Sequence, residues 1–577
     1  MNNQKIAEIF NEIADMLELS KENRIFEIRA YKKAALTLDS MQEEVSDILE
    51  KKGIEGLMEI QGIGKGLAEK IKEFVATGKI KKYEELKKQY PIDFSNLTRI
   101  QGMGSKRAFM LYKKLGVRNI EDLRTVIQTH KVRELAGFGE KSENELKNGI
   151  ALLDASKGRI LLGTALPEAE LIMKSLAASG LVEKIELAGS TRRMKETVGD
   201  LDILVISDNS KKVMDLAERL PETQSTISKG PTKITLWLKI GISCDIRVVE
   251  KESFGAAMQY FIGSKDHNVK VRQIAIKKGY KLNEYGLFDM KGKILANENE
   301  VEIYKKLGMQ YPEPEMRENR GEIELAQEGR LPKLVSLNDI IGDLHVHSKH
   351  SDGLNSIEEM VIEAKRLGRK YIGITDHSKT EYIAHGMDEK RFLEYSKEID
   401  MLNKKFDGEI KILKSAETDI LKDGSLDFSK EALDQMDYVL ASVHTNLTMK
   451  KEEMTKRVIT AIESGKMNIL AHPTDRIINQ RPSIQLDMDK IFEAAKANNV
   501  VVEIDSYPER LDLNDENILK AKKYGLNFSI STDSHRLQHL SFMRYGIGMA
   551  KRGWLEKNDI VNVMPLEKLI KIFNKNR

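Results

Sequence analysis

The chain lacks the features that mark a secreted or membrane protein. It has a single cysteine, Cys244, so no disulfide can form within the chain, and such sparing use of cysteine fits a reducing cytosol. No apolar run approaches the roughly 20 residues that a membrane helix needs. Residues 1–5 lead into an amphipathic helical pattern and not into a signal peptide. We therefore expect a cytoplasmic protein with no membrane partner.

Two further absences narrow the class of protein. There is no Gly-x-x-x-x-Gly-Lys-Ser/Thr segment, which argues against a P-loop motor. There is also no large charge surplus, because the net charge is only +3 over 577 residues. The last 242 residues hold 37 basic and 39 acidic side chains, so the modest positive surplus lies in the first 335. A chain of this length is expected to contain several domains.

Residues 1–150 are predicted to form short amphipathic helices that carry a repeated glycine motif. Similar segments recur at 60–66 (IQGIGKG), 100–106 (IQGMGSK) and 135–141 (LAGFGEK). A Gly-x-Gly turn lets a phosphate approach the backbone, and the following helix offers free N–H groups. A plain glycine-capped turn is the alternative, but three related segments favour DNA-holding helix-hairpin-helix elements. The predicted DNA-binding residues here are Gly62, Gly64, Lys65, Gly102, Gly104 and Lys106.

A set of aspartates in the middle of the chain predicts a nucleotidyltransferase site. Asp200 and Asp202 lie two apart on an apolar strand and face the same side, where Asp245 from another strand can join them. Three such carboxylates can hold two Mg²⁺ or Mn²⁺ ions for in-line phosphoryl transfer. Pairs of this kind are common alone, and the full set does not separate a DNA polymerase from an RNA-tailing enzyme. A triphosphate site is predicted at Gly189, Ser190 and Arg193.

After residue 339, histidines and carboxylates follow successive apolar segments. The strand–helix alternation favours a βα barrel with its site at the C-terminal ends of the strands. One such histidine is usually a core residue, but six at successive strand ends are better explained by metal ions. Mixed donors suit Zn²⁺, Mn²⁺ or Fe²⁺, which activate water for attack on phosphorus. The predicted ligands are His345, His347, Asp352, His377, Glu417, His444, His472, Asp533 and His535.

Residues 260–264 (YFIGS), with 283–285 (NEY) downstream, resemble the thumb of the family X DNA polymerases, the polymerase β group. The resemblance covers residues 1 to about 318. It implies that Asp200, Asp202 and Asp245 bind the metal ions and that Asp245 also takes the proton of the primer 3′-OH. The residues it places around the incoming nucleotide and the template are Ser190, Arg193, Gly199, Tyr260, Phe261, Gly263, Asn268 and Arg272.

The same resemblance gives the first hairpin a second expected role. Lys70 lies where polymerase β-like enzymes carry the lysine that attacks the sugar aldehyde of a cleaved abasic site. A Schiff-base lysine of this kind requires a lowered pKa. Tyr31 and Lys33 fit the associated 5′-phosphate pocket. An ordinary solvated helix lysine is the alternative for Lys70.

The segment 343–353 (DLHVHSKHSDG) resembles the first motif of the PHP (polymerase and histidinol phosphatase) family, whose other motifs follow over residues 339–540. This resemblance implies up to three metal ions. One would take His345, His347, Glu417 and Asp533; a second would share Glu417 and add His444 and His472; and a third would take Asp352, His377 and His535.

The predicted fold is therefore multidomain. It comprises all-α helix-hairpin-helix domains at 1–90 and 91–150, an α+β nucleotidyltransferase palm at 151–262, a thumb at 263–318, a linker at 319–338 and a distorted TIM-like βα PHP barrel at 339–577. We expect a monomeric DNA repair polymerase that fills short gaps with dNTPs. Its PHP domain would be a Mn²⁺-dependent 3′–5′ exonuclease that could also trim 3′ ends or incise abasic sites. The alternatives are a template-independent nucleotidyltransferase, and a DNA-binding protein with an attached small-molecule phosphatase.

Overall fold

The computed structural model describes residues 2–19, 24–41, 44–60, 62–98, 100, 103–155 and 158–574. Gly102, one of the predicted DNA-binding residues, lies outside them. Within the described residues, no helix is both long and apolar enough to cross a membrane. The chain divides into two compact units, Met1–Lys157 with Asn479–Pro482, and Gly158–Ile478 with Ser483–Arg577.

Each regular element that the structure describes between residues 2 and 155 is a helix, because the apolar residues there recur at the helical period. In the first helix Ile6, Phe10 and Ile13 are fully buried along one face. Glycine ends two of the helices, since Gly78 and Gly116 adopt the left-handed conformation that closes a helix C-terminus. The helices are α1 (Asn2–Leu17), α2 (Ile25–Ser40), α3 (Val45–Met58), α4 (Lys65–Thr77), α5 (Lys81–Gln89), α6 (Phe94–Leu97), α7 (Ser105–Leu115), α8 (Ile120–Gln128) and α9 (Glu140–Ala155).

The second unit begins with the predicted palm. Its central sheet has the strand order β2-β4-β7-β6-β5, in which only the β4–β7 pair is parallel. The palm elements are β1 (Ile160–Leu161), α10 (Leu162–Ala178), β2 (Lys184–Leu187), α11 (Gly189–Arg192), β3 (Thr197–Val198), β4 (Asp200–Ile206), α12 (Ser210–Ala217), β5 (Thr223–Lys229), β6 (Lys233–Leu238), β7 (Ser243–Val249) and α13 (Phe254–Ile262). The strands predicted from the sequence at 185–188, 201–207, 233–239 and 243–249 correspond to β2, β4, β6 and β7.

A small α+β segment follows the palm. It contains α14 (Lys265–Lys277), β8 (Tyr280–Asn283), β9 (Gly286–Asp289), β10 (Ile294–Ala296), α15 (Glu300–Lys306) and α16 (Glu322–Glu328). The predicted linker, 319–338, is more structured than its charge and flanking prolines indicated. Its helix α16 packs Ile323 and Ala326 into the same hydrophobic cluster as Leu287 and Leu307. The apolar residues of this helix are too few for a clear helical period, so only tertiary packing reveals it.

The remainder of the second unit is a barrel of parallel strands and surrounding helices. It contains β11 (Gly342–Val346), α17 (Ile357–Arg366), β12 (Tyr371–Ile374), α18 (Glu389–Lys405), β13 (Lys411–Lys414), β14 (Glu417–Asp419), α19 (Lys430–Leu433), β15 (Leu440–Ser442), α20 (Lys451–Glu463), β16 (Ile469–Leu470), α21 (Met488–Ala497), β17 (Val501–Asp505), α22 (Asp515–Lys523), β18 (Phe528–Ser531), α23 (Met543–Arg552) and α24 (Leu566–Phe573).

These eight short strands occupy seven positions around the barrel. Parallel pairing joins β11 to β13 and, separately, β14 to β18. Only two residues separate β13 from β14, so the two continue one another, and a bridge between Val346 and Ser534 connects β11 with the end of β18. The barrel is therefore a distorted relative of the eightfold arrangement, as predicted, and its C-terminal strand ends point to one shared opening.

Candidate metal centres of the palm and the barrel

The palm sheet brings the three predicted aspartates to adjacent strands. Asp202 on β4 lies directly opposite Asp245 on the parallel strand β7, and Asp200 precedes Asp202 by two residues on the same face. Burial, together with the charges of Asp200 and Asp245, raises the pKa of Asp202 to about 7. Three carboxylates concentrated in this way repel one another, and a divalent cation is the natural counter-charge.

Two residues of β6 that the sequence interpretation missed hold Asp245. The Thr235 hydroxyl donates a hydrogen bond to Asp245 Oδ1 at 2.7 Å, and Lys233 Nζ lies 2.5 Å from Asp245 Oδ2. Thr235 is the direct cross-strand neighbour of Asp245. Lys233 and Thr235 are two residues apart and therefore lie on the same face of β6. Their contact with Asp245 can be recognised only when the pairing of β6 with β7 is known.

The turn before α11 fits closely against Asp202. Gly189 has a positive φ of 62°, and a Cβ at this position would lie 2.2 Å from Asp202 Oδ2. The backbone N–H of Ala188 also donates to the Asp202 carbonyl at 2.8 Å. Gly189 therefore allows the turn, with Ser190 after it, to reach the carboxylates. Gly199 immediately precedes β4, and a Cβ there would lie 3.4 Å from Arg159 Nη1.

Arg193 is held by protein groups. Its side chain is buried, Nη1 donates to the Ile262 carbonyl at 2.6 Å, and Nε donates to Glu318 Oε1 at 3.0 Å. It nevertheless acts electrostatically on Asp202, whose pKa it lowers against the dominant effect of burial. The structure thus places Arg193 beside the palm site with two of its donors already engaged.

The predicted sugar and base contacts cluster at the end of α13. The rings of Tyr260 and Phe261 meet edge to face with centroids 5.0 Å apart. A Cβ on Gly263 would lie 2.3 Å from Asn268 Oδ1. Asn268 folds back on this turn, since its Nδ2 donates to the Tyr260 carbonyl at 2.6 Å and to the Gly263 carbonyl at 3.1 Å. Arg272 lies on α14, one turn further on, and is partly exposed.

In the first unit, the described hairpin glycines lie at helix N-termini. Gly64 is the N-cap of α4 and Gly104 is the N-cap of α7, so that Lys65 and Lys106 fall in the first turns, where backbone N–H groups are free. Gly62 adopts a positive φ of 88°, and a Cβ there would lie 3.2 Å from Lys33 Cγ. Lys33 therefore packs against the first hairpin.

The predicted lyase residues lie together, although one of them is buried. Lys70 Nζ lies 5.9 Å from the centre of the Tyr31 ring and donates to the Gly66 carbonyl at 3.0 Å. Tyr31 is only 2% exposed and packs edge to face on Phe10. Tyr31 thus packs beside Lys70, and its place in the expected 5′-phosphate pocket stays a prediction.

The barrel gathers all nine of its predicted ligands at the strand ends. Within each of four overlapping groups, the donor atoms lie within 4.8 Å of one another. His345, His347 and Glu417 each belong to two of these groups, as does His377. The groups are His347, Asp352, His377 and His535; His345, Glu417 and His472; His345, His347 and Asp533; and His377, Glu417 and His444. His345 therefore joins Glu417 and His472, and His377 joins Glu417 and His444, a grouping that differs in part from the one implied by resemblance.

The chemistry of these donors fits metal ions. Nitrogen atoms of four buried imidazoles, those of His345, His347, His377 and His472, have no hydrogen-bond partner. A buried nitrogen without a partner is costly unless it binds something else. Burial opposes ionisation of Glu417, but the surrounding histidines outweigh it and hold its pKa well below the usual value. Deprotonated carboxylates beside lone-pair nitrogens are what a Zn²⁺, Mn²⁺ or Fe²⁺ cluster requires.

Further carboxylates that the sequence interpretation did not assign orient these ligands. Glu503 accepts the His345 Nδ1–H at 2.9 Å and the backbone N–H of His472 at 2.8 Å. Asp419 accepts the backbone N–H of His444 at 3.0 Å. Each follows or lies within a barrel strand, a position shared with many non-functional residues, so no local pattern distinguishes them. Such outer partners fix the orientation and basicity of metal-bound histidines.

Comparison with known proteins finds matches in both units of the chain. Family models match in four places: a helix-hairpin-helix domain at residues 1–80, a SAM-like helix-hairpin-helix tandem at 94–151, the DNA polymerase beta thumb at 257–318 and a PHP domain at 343–507. The DNA polymerase/3′-5′ exonuclease PolX of Bacillus subtilis (strain 168) is 36% identical over 579 residues, which cover 100% of both chains. The chain belongs to the PolX family of DNA polymerases. The predicted enzyme class, a DNA polymerase with 3′–5′ exonuclease activity, is thereby confirmed.

Two further relatives match only part of this chain. DNA polymerase lambda of Rattus norvegicus is 27% identical over 319 residues, covering 50% of this chain and 52% of the relative. A probable phosphatase of Caldicellulosiruptor saccharolyticus is 30% identical over 202 residues, covering 33% of this chain and 79% of the relative. The predicted fold class, with helix-hairpin-helix domains, a polymerase core and a PHP barrel, is confirmed.

Proposed function

We propose that this PolX chain is a DNA repair polymerase that fills short gaps by templated dNTP addition and edits 3′ ends with its PHP barrel. The observation that carries the proposal is the presence, in one chain, of a palm carboxylate triad and a separate cluster of nine metal-type ligands. The helix-hairpin-helix elements support DNA as the shared substrate, because their helix N-termini bind phosphate without reading sequence.

In the palm, the chain's own groups would prepare the primer terminus and the nucleotide. Bound Mg²⁺ or Mn²⁺ would stabilise charge on the attacking and leaving oxygens. Asp245, oriented by Thr235 and Lys233, would take the proton of the primer 3′-OH. The Gly189–Ser190 turn would hold the triphosphate through backbone N–H groups and the serine hydroxyl. Tyr260 and Phe261 would pack against the sugar and screen ribose from deoxyribose.

In the barrel, nine residues would hold up to three ions, with Mn²⁺ the expected metal for 3′–5′ exonuclease activity. Held there, the ions would lower the pKa of water for hydrolysis of the terminal phosphodiester, which releases a nucleotide and leaves a shortened strand. The same opening could accept a blocked 3′ end or an abasic site, and we extend the proposal to 3′ trimming and abasic-site incision.

A 5′-deoxyribose phosphate lyase activity is proposed for the first unit. Lys70 would attack the sugar aldehyde as a neutral amine, while Lys33, packed on the first hairpin, would face the 5′-phosphate. Trapping with borohydride on a 3′-labelled duplex with an incised abasic site tests this role, with Lys72→Ala, a solvent-facing lysine of the same helix, as the matched control. Unchanged trapping by Lys70→Ala would remove Lys70 from the proposal.

A labelled primer on a one-nucleotide gap tests the main proposal. With Mn²⁺ and dNTPs we expect one templated addition, and without dNTPs we expect shortening from the 3′ end. Asp200→Ala should lose only the extension, and His345→Ala should lose only the shortening, so each variant controls for the folding of the other. Untemplated addition would favour a template-independent nucleotidyltransferase. Hydrolysis of phosphomonoesters with no DNA degradation would favour an attached phosphatase. A monomeric state and a cytoplasmic location stay predictions from the sequence.

A further inference from the structure

A buried ion-pair network joins helix α23 of the barrel domain to the Gly189–Arg192 turn region of the palm. Arg552, at the end of α23, is only 3% exposed. Its Nη1 donates to the Arg193 carbonyl and to Glu318 Oε1, both at 2.9 Å. Its Nε and Nη2 donate to Asp515 Oδ2 at 2.9 and 2.6 Å. One barrel guanidinium thus contacts the palm backbone and, through Glu318, the Arg193 side chain.

Close packing accompanies these hydrogen bonds. Gly548 lies one helical turn before Arg552, and a Cβ there would approach Met194 Cε at 2.7 Å and Met194 Cβ at 2.9 Å. Met194 directly follows Arg193 and has a positive φ of 55°. A left-handed methionine is unfavourable by itself and persists only where its surroundings hold it. The exit of the palm turn is therefore fitted to the surface of α23.

Backbone hydrogen bonds connect residues 193–195 to the predicted triphosphate site. The Arg193 N–H donates to the Gly189 carbonyl at 3.3 Å, and the Lys195 N–H donates to the Ser190 carbonyl at 3.1 Å. Movement of residues 193–195 therefore moves Gly189 and Ser190. Because Gly189 lies against Asp202, such movement also reaches the carboxylates.

We propose that Arg552 is a positioning residue for nucleotidyl transfer, through which the exonuclease domain holds the palm turn that binds the incoming nucleotide. The inference rests on the proposed triphosphate role of Gly189 and Ser190. It explains why a buried arginine of the PHP barrel donates to a palm carbonyl as well as to carboxylates. The PHP domain thereby contributes to polymerisation without contacting the substrate.

The test compares gap filling with exonuclease activity in variants of the full chain. Arg552→Met should raise the KM for dNTP in gap filling by on the order of 10-fold or more, because a misplacement of about 1 Å can cost 10²-fold. Exonuclease activity and its Mn²⁺ dependence should stay within about twofold. Arg552→Lys keeps the charge and should recover part of the KM. Arg544→Ala, which removes an exposed pair with palm residue Glu170 from the same helix, is the matched control.

The outcomes separate positioning from a merely structural role. An unchanged dNTP KM in Arg552→Met would overturn the proposal, as would a parallel loss of both activities and of thermal stability. Thermal stabilisation by dNTP and Mg²⁺ on gapped DNA is measured alongside. This shift in melting temperature measures nucleotide binding even where no extension occurs. It therefore distinguishes a wild type that does not polymerise from an Arg552 side chain that does not position the turn.

A different observation concerns the opening of the barrel. The loop 378–387 carries two apolar side chains almost fully in solvent, Tyr382 at 87% and Ile383 at 91% exposure. Both ends of this loop are tied to predicted metal ligands, since the Ser378 N–H donates to the Glu417 carbonyl at 3.0 Å and the Met387 N–H donates to the His377 carbonyl at 2.6 Å. The two ends of the loop therefore lie beside the predicted metal ligands.

We infer that Tyr382 and Ile383 form a stacking platform for an unpaired base of the DNA strand that enters the barrel. An aromatic ring presented to solvent on a loop that begins and ends at the predicted metal ligands suits a nucleobase, because stacking accepts every base. A single strand would thus be held at its bases while its terminal phosphodiester reaches the metal ligands. This inference rests on the proposed exonuclease site.

Hydrolysis of a substrate without bases tests the platform. Tyr382→Ala should raise the KM for a single-stranded oligonucleotide about 10-fold, which corresponds to 1.4 kcal/mol, while hydrolysis of bis-p-nitrophenyl phosphate is unchanged. Tyr382→Phe should behave as the wild type, and Ile362→Ala removes another exposed apolar side chain of the barrel as a control. Equal effects on both substrates, or none on the oligonucleotide, would overturn the inference. If the wild type does not hydrolyse bis-p-nitrophenyl phosphate, the result would instead count against the exonuclease site itself.

Discussion

Replacing Gly189 with alanine should separate the two activities of the chain. A Cβ at this position would lie 2.2 Å from Asp202 Oδ2, whereas an ordinary contact needs roughly 3.5 Å. The carboxylate or the turn must therefore move by about 1 Å, a displacement that can cost on the order of 10²-fold in rate. The left-handed conformation of Gly189 adds about 1 kcal/mol of strain for alanine. We expect gap filling to fall about 100-fold and exonuclease activity to persist.

Gly180→Ala provides the matched control for this substitution. Gly180 follows helix α10 with a φ of 69°, close to that of Gly189, but no atom lies within 4 Å of its added Cβ. It should show the strain alone, a loss of about 1 kcal/mol in the free energy of unfolding with normal gap filling. Single-turnover extension of a gapped primer, with denaturant unfolding of each variant, makes the comparison. If Gly189→Ala extends primers as well as Gly180→Ala does, the close approach to Asp202 has no catalytic consequence.

Three further predictions concern charge, metal and DNA. The folded-state pKa of Asp202, about 7, lies above its unfolded value of about 3.9, so its ionisation penalty is absent below about pH 4, grows between the two values and is complete above pH 7. Asp202→Asn should therefore stabilise the metal-free protein by up to about 4 kcal/mol at pH 8 and by about 1.5 kcal/mol at pH 5; equal unfolding midpoints at pH 8 would contradict this. Glu503→Gln weakens the hydrogen bond that orients His345 and should reduce metal affinity of the barrel about 10–100-fold, as measured by Mn²⁺ titration with gap filling as the control. Lys65→Glu and Lys106→Glu should each weaken binding to gapped DNA and lower the salt dependence by about one counterion; an unchanged slope would place these lysines away from phosphate.

The ligand types and their order could be predicted from the sequence because strand geometry is local. Asp200 and Asp202 share a face wherever a strand forms, and the histidines of the barrel follow apolar runs that end at the same edge of a parallel barrel. The helix of the expected linker could not be predicted, since α16 is stabilised by the thumb core and not by its own pattern. Tyr31 was expected near a phosphate, but packing on Phe10 buries it.

What the sequence determined by itself was the chemistry: carboxylates spaced two apart, glycines ahead of lysines, and histidines at strand ends. Each spacing involves only a few neighbouring residues, so the relative placement of their side chains does not depend on how the rest of the chain is arranged. The tertiary structure alone decided which distant groups complete each site. Lys233 and Thr235 reach Asp245 through strand pairing, Glu503 reaches His345 across 158 residues, and Arg552 reaches Arg193 across 359 residues. Contacts of that range depend on how sheets and helices pack, which no local pattern records.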